Sequence, residues 1–296
     1  MLGIIARTIL VIVVFTSAAA FAAESERHFS IQNTHYLQLH SVQTGHDHEL
    51  IISLPESYAT NPTKKYPVLY FLDGYWDQPL LSATYGNLMY DKVAPEFIMV
   101  GFSYPGAADY GVERQRDFTP SVEAGRKTPS GGGAAFLQFI KASVVPLIEQ
   151  TYRADPAQRA LSGSSLGGLF ALYAMYQEPN FFDRYIAISP AAGWDNGYLL
   201  KLDADYAKQH NALPARAFIS YGTAEYKPFS LPIAQLQKQI KKRRYQGLAL
   251  QNYQMQGLRH TSVKGEGYVH GLIWAWQDIT PKMPSSLETG FMAEGK

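Results

Sequence analysis

Residues 159–169 read Arg159-Ala160-Leu161-Ser162-Gly163-Ser164-Ser165-Leu166-Gly167-Gly168-Leu169. A short apolar run over 159–162 enters a Gly-x-Ser-x-Gly pattern, and a helical pattern follows at once over 166–177. Strand, sharp turn and helix in that order push a serine hydroxyl out of the top of a sheet, which makes Ser165 the candidate nucleophile. The glycines at 163 and 167 allow the strand and the helix to approach where side chains would collide, and Gly168 extends the same approach.

Outward from this point, short apolar runs at 66–72, 97–102, 185–189, 217–221 and 248–255 alternate with helical patterns. The clearest helical stretch spans 134–152, with Phe136, Phe139, Ile140, Val144, Leu147 and Ile148 on one face; others span 198–209, 231–244 and 268–278. Such alternation predicts an α/β fold with a mainly parallel central sheet and helices on both faces. Before it, residues 28–58 alternate around the polar turn Thr44-Gly45-His46-Asp47 and predict an antiparallel hairpin at the sheet edge. His46 and His48 read as turn residues, since two histidines without further ligands make a poor metal site. Residues 105–130 and Gly131-Gly132-Gly133 read as a long loop of the kind that is often functional. Lys241-Lys242-Arg243-Arg244, at the end of a predicted helix, complements the negative end of its dipole.

A serine hydroxyl needs a base. With the chain order Ser, acid, His expected after an elbow of this kind, only His210, His260 and His270 follow Ser165. His210 precedes the strand at 217–221, and His270 falls inside the last helical pattern. His260 follows the last strand directly, in a loop with Gly257 and Thr261, so it is the chosen base and His270 the alternative. Glu225, in Gly222-Thr223-Ala224-Glu225, is the chosen orienting carboxylate, with Asp195 as competitor and a Ser–His dyad also open. The oxyanion requires two amide donors. Leu166 is expected to supply one and the turn Asp73-Gly74-Tyr75-Trp76 the other, through Tyr75; Asp73 itself reads as a turn residue.

The chain has 296 residues and no cysteine, so disulfides, a thiol nucleophile, thiolate zinc sites and a lipidated cysteine are all excluded. Its 26 Lys+Arg against 25 Asp+Glu leave a formal charge of +1, which gives no electrostatic case for nucleic acid or an anionic membrane. Arg7, an apolar run from Ile9 to Phe15, and Ala20-Phe21-Ala22 have the three parts of a secretory signal peptide. Cleavage after Ala22 is expected, leaving residues 23–296 as one domain with a short C-terminal tail, secreted or periplasmic and without a stable membrane anchor.

Several segments resemble, in order, the putative-esterase family of α/β-hydrolases, which includes esterase D and the enterochelin-type ferric-siderophore esterases. These are Tyr66-Pro67-Val68-Leu69-Tyr70-Phe71-Leu72-Asp73-Gly74, Arg114-Gln115-Arg116-Asp117-Phe118-Thr119-Pro120, residues 161–170, Ile188-Ser189-Pro190 with Trp194, Gly222-Thr223-Ala224-Glu225, and His260-Thr261-Ser262-Val263 with Gly271-Leu272. The resemblance implies an α/β-hydrolase fold, serine ester hydrolysis through an acyl-enzyme, and a nucleophile, acid and histidine at Ser165, Glu225 and His260. Ser164 departs from the histidine that often precedes the nucleophile in such enzymes. An exported enzyme does not meet cytosolic S-formylglutathione, so a small-molecule ester of siderophore or aromatic type is the expected substrate. Trp76, Trp194, Tyr75, Tyr104 and Arg116 or Arg114 are candidates to line its site. No cofactor or metal is expected. The alternatives are an acyltransferase acting on a sugar or lipid hydroxyl, and a non-catalytic binding protein on a hydrolase scaffold.

Overall fold

The computed structural model describes residues 30–280, so the expected leader over residues 1–22 and the C-terminal tail beyond residue 280 lie outside the described residues. Eight strands form one sheet: β1 (Thr34–Ser41), β2 (His46–Ser53), β3 (Tyr66–Phe71), β4 (Ile98–Ser103), β5 (Ala154–Ser164), β6 (Arg184–Ile188), β7 (Ala212–Gly222) and β8 (Gln246–Met255). The helices are α1 (Gly74–Tyr90), α2 (Tyr110–Phe118), α3 (Gly133–Phe139), α4 (Val145–Thr151), α5 (Leu166–Gln177), α6 (Trp194–Gln209), α7 (Lys227–Arg243) and α8 (Val263–Trp276). The strand order is β1-β2-β4-β3-β5-β6-β7-β8. β1 and β2 pair antiparallel with Leu37 opposite Leu50, β2 meets β4 antiparallel, and every pairing from β4 to β8 is parallel. This is the α/β-hydrolase arrangement with its hairpin at the edge, as the strand–helix alternation and the family resemblance imply.

The inner strands β3, β4 and β6 are near-continuous apolar runs because helices cover both of their faces. On one face Val68, Tyr70, Leu161, Tyr185, Ala217 and Ile219 pack with Phe136 and Ile148 of the α3–α4 region, Phe170 and Leu172 of α5, Leu199 of α6 and Ile233 of α7. On the other, Leu69, Phe71, Met99, Ile186 and Phe218 pack with Leu81 and Leu88 of α1 and Leu272 and Trp276 of α8.

Four local readings change. The pattern over 134–152 is two helices joined by a wider turn at Ile140–Val144, where the Val145 N–H bonds the Ile140 carbonyl five residues back. Pro146 follows and cannot donate, and its ring would strike the carbonyl four residues before it in a regular helix, so the ladder widens. The loop predicted over 105–130 contains α2, whose N-terminus Asp109 caps by accepting from Gly111 and Val112 N–H. Its Glu113-Arg114-Gln115-Arg116 run carries no apolar stripe, so periodicity gave no signal. α1 was likewise invisible, because Pro79 and Gly86 interrupt a stretch with apolar residues all round. Finally, His46 and His48 lie in β2 and not in the turn, and His48 is buried, stacked on Phe139 and hydrogen-bonded to Thr44.

Burial lowers the His48 pKa from 6.5 to about 4, against the opposing pull of the Asp117 carboxylate 3.9 Å away. The unfolded chain therefore takes up this proton first as pH falls, so stability should decline from about pH 6.5 down to about 4, by up to about 3 kcal/mol for this group. Urea denaturation across that range, with His48→Gln as the non-titrating control, should show a flatter dependence in the variant. A second test concerns packing. A Cβ at Gly163 would lie 2.4 Å from the Gly167 carbonyl carbon, whereas one at exposed Gly86 meets nothing within 4 Å. Gly163→Ala should cost about 3 kcal/mol and Gly86→Ala should add about 0.5–1 kcal/mol, both read from denaturation midpoints.

Candidate active site

Ser165 ends β5 and begins α5 with φ 58° and ψ −117°, a conformation that side chains avoid. Two hydrogen bonds hold it there: its N–H donates to the Ile188 carbonyl (3.0 Å) and its carbonyl accepts from the Ala191 N–H (2.9 Å). The end of β6 thus grips the peptide of the serine from both sides. Gly168 is required beneath, since its Cβ would lie 2.9 Å from Pro190 Cα.

His260 projects from the loop that links β8 to α8, and its Nε2 lies 3.0 Å from Ser165 Oγ. Its Nδ1 lies 3.0 Å from Glu225 Oε2. An ionised carboxylate can only accept, so Nδ1 carries the proton and Nε2 presents its lone pair to the serine hydroxyl. Glu225 sits just beyond β7 with a side chain only 1 % exposed, while the His260 side chain is 40 % exposed. Burial by itself would raise the Glu225 pKa. Donors from His260, the Ser189 hydroxyl and the Gly222 N–H (2.7 Å) outweigh it and hold the carboxyl below its usual range. The Phe229 ring meets the His260 ring edge to face at 4.4 Å and limits its rotation.

The other histidines stand apart from this row. His270, inside α8, bonds the Tyr253 hydroxyl, and His210 packs on Tyr206. Asp195 lies in a kink of left-handed residues at the start of α6, its N–H bonded to Glu123.

The amides of Leu166, at the start of α5, and Tyr75, in the first turn of α1, donate to no acceptor among the described residues. The turn that carries Tyr75 is fixed by Asp73, and here the sequence reading falls short. Asp73 is buried, adopts φ 58°, and receives a two-pronged ion pair from Arg114 (2.6 and 2.8 Å). Sequence gives no hint of that pairing, because α2 and its register were not visible.

Two clefts flank Ser165. One, of about 360 Å³, is lined by Leu166, Trp194, Phe229, Tyr226 and Arg126, with the Arg126 guanidinium over the Trp194 ring at 4.8 Å. The other, of about 330 Å³, is lined by Trp76, Arg114, Ser164, His260 and Lys264. Trp76 and Trp194 therefore line different clefts beside the serine. Arg116 borders neither; it pairs with Glu113 and Asp117 (2.5 and 2.7 Å), because α2 turns Arg114 inward and Arg116 back along its own helix. Tyr104 is buried and donates to Asp117, away from both clefts. A larger hollow of about 620 Å³ lies around His210, Lys238, Lys242 and Arg243, and neither Ser165 nor His260 lines it. Among the described residues no helix is long and apolar enough to cross a membrane.

Comparison with known proteins agrees with this fold. The model of the family described as "Putative esterase" matches residues 41–245. The chain is 30% identical over 219 residues to the ferri-bacillibactin esterase BesA of Bacillus subtilis, covering 67% of this chain and 72% of that protein. It is 32% identical over 144 residues to the apo-salmochelin esterase of Escherichia coli, covering 46% of this chain and 44% of that one. Among solved structures, the BES protein from Bacillus cereus superimposes with a TM-score of 0.75 at 26% identity, over 85% of this chain and 97% of that one. Fold, family model and relatives converge on one conclusion: the chain belongs to the Putative esterase family of α/β-hydrolases and is a carboxylic ester hydrolase.

Proposed function

We propose that this chain is an exported serine esterase that cleaves small siderophore-type esters through an acyl-enzyme. The observation that carries the mechanism is the unbroken row from Ser165 Oγ to His260 Nε2, and from Nδ1 to Glu225 Oε2, with both spans at 3.0 Å. In this reading His260 removes the serine proton as Oγ attacks the ester carbonyl, then returns it to the leaving alcohol. Water repeats the cycle on the acyl-enzyme. Buried Glu225 keeps the imidazole in the reactive tautomer and stabilises its charged form, which its depressed pKa allows over the working pH range. The unpaired amides of Leu166 and Tyr75 receive the oxyanion, aided by the positive end of the α5 dipole.

The substrate reading rests on two supports. Relatives are named as ferri-bacillibactin and apo-salmochelin esterases, and the two clefts have aromatic walls of a kind that suits aromatic esters. Export rests on the leader pattern of residues 1–22, which mass spectrometry of the mature N-terminus checks directly.

Ser165→Ala should lower kcat on p-nitrophenyl esters by a factor on the order of 10⁶, and it should also abolish labelling by a fluorophosphonate probe. Turnover retained in that variant would refute the mechanism, and a protein that never reacts with the probe would be a binder and not an enzyme. His260→Ala should be as damaging as Ser165→Ala, and Glu225→Gln should cost about 10⁴-fold, while His270→Ala should leave kcat near its starting value. A panel of simple esters, thioesters and siderophore lactones then ranks the substrates by kcat/KM.

A further inference from the structure

Ser189 follows β6 directly and is fully buried, with φ 45°. A left-handed conformation at a non-glycine residue is strained and persists only where its surroundings enforce it. Its hydroxyl oxygen lies 2.7 Å from Glu225 Oε1, 2.6 Å from Oε2 and 3.3 Å from His260 Nδ1. The carboxylate cannot donate, so the hydroxyl proton goes to Glu225, while the hydroxyl lone pairs face the Nδ1 proton. Burial of a serine does not by itself produce such pairing: the neighbouring buried hydroxyls of Ser164 and Ser220 have no partner among the described residues.

The main chain around Ser189 adds a second connection. Its N–H donates to the Ser220 carbonyl (2.7 Å) at the end of β7, the strand that leads to Glu225. The residue before it accepts from the Ser165 N–H, and Ala191, two residues on, donates to the Ser165 carbonyl. Four consecutive residues, Ile188-Ser189-Pro190-Ala191, therefore hold the nucleophile by its backbone and the carboxylate by a side chain. Any residue except proline could complete the backbone bonds, and glycine would do so with less strain. The hydroxyl is what the strained serine adds.

We propose that Ser189 is a positioning residue for ester hydrolysis, its hydroxyl locking the Glu225 carboxylate in the orientation that holds His260 toward Ser165. This rests on the serine-esterase reading above. Two variants remove the hydroxyl: Ser189→Ala keeps the Cβ, and Ser189→Gly also relieves the backbone, so folding is not at risk in both.

Each variant should lower kcat on a p-nitrophenyl ester by about 10- to 100-fold with KM changed by less than about twofold, as expected when reacting groups are misaligned and substrate contacts are kept. The fluorophosphonate labelling rate should fall in parallel. In a Glu225→Gln background, Ser189→Ala should add less than about twofold, because its effect passes through Glu225, whereas a purely structural role would add its full loss there as well. Wild-type kcat in both single variants, or full additivity in the Glu225→Gln background, would overturn the proposal. An active Ser165→Ala enzyme would instead overturn the hydrolase reading on which it rests.

Discussion

The top of the sheet is organised by one close contact: β5 and α5 approach until a Cβ on Gly163 would lie 2.4 Å from the backbone of Gly167. Strand and helix can turn back on each other this tightly only if Ser165 takes the positive-φ conformation between them. That strain costs roughly 1–3 kcal/mol, and the hydrogen bonds from the Ser165 N–H to Ile188 and from the Ala191 N–H to the Ser165 carbonyl hold it in place. The serine hydroxyl therefore stands clear of the sheet in one orientation. Every other part of the site is arranged around that point.

Two buried ion pairs make the arrangement stiff. Arg114 from α2 grips Asp73 at the turn into α1 and so fixes the segment that carries the Tyr75 amide. One helical turn later, Asp77 receives Lys264 (2.6 Å) and the Tyr268 hydroxyl from α8, the helix that begins three residues after His260. Burial raises the Asp77 pKa despite these donors and the nearby positive charge. Pairs of this kind contribute less to net stability than to geometry, since desolvation offsets much of their attraction. Here they join the proposed oxyanion turn to the histidine-bearing end of the chain, across Ser165.

Much of this was legible in the sequence because it depends on local rules. The elbow is readable from glycine spacing, the parallel sheet from continuous apolar runs flanked by helical patterns, and the hairpin from alternation. Chain order and strand ends point to Ser165, His260 and Glu225, and in the fold His260 stands within hydrogen-bond reach of both others. The misses have physical causes as well. α1 and α2 lack an apolar stripe, since one is crossed by Pro79 and Gly86 and the other is a charged helix held by its Asp109 cap. Without α2 there was no means of choosing between Arg114 and Arg116, whose side chains point in different directions from the same turn. Buried His48 passed for a turn residue because one buried histidine leaves no periodic trace.

The sequence by itself determined the fold class, the elbow and the absence of thiol chemistry, because backbone sterics and side-chain chemistry act over a few neighbouring residues. Tertiary structure alone decided that Asp73 is an ion-pair partner, that Trp76 and Trp194 line different clefts, and that Ser189 reaches both Glu225 and His260. These contacts join residues from 36 to 71 positions apart, as in Ser189 with Glu225 and Ser189 with His260. Their distances follow from how the strands are ordered and how far each helix is rotated against the sheet. No local pattern along the chain encodes that rotation.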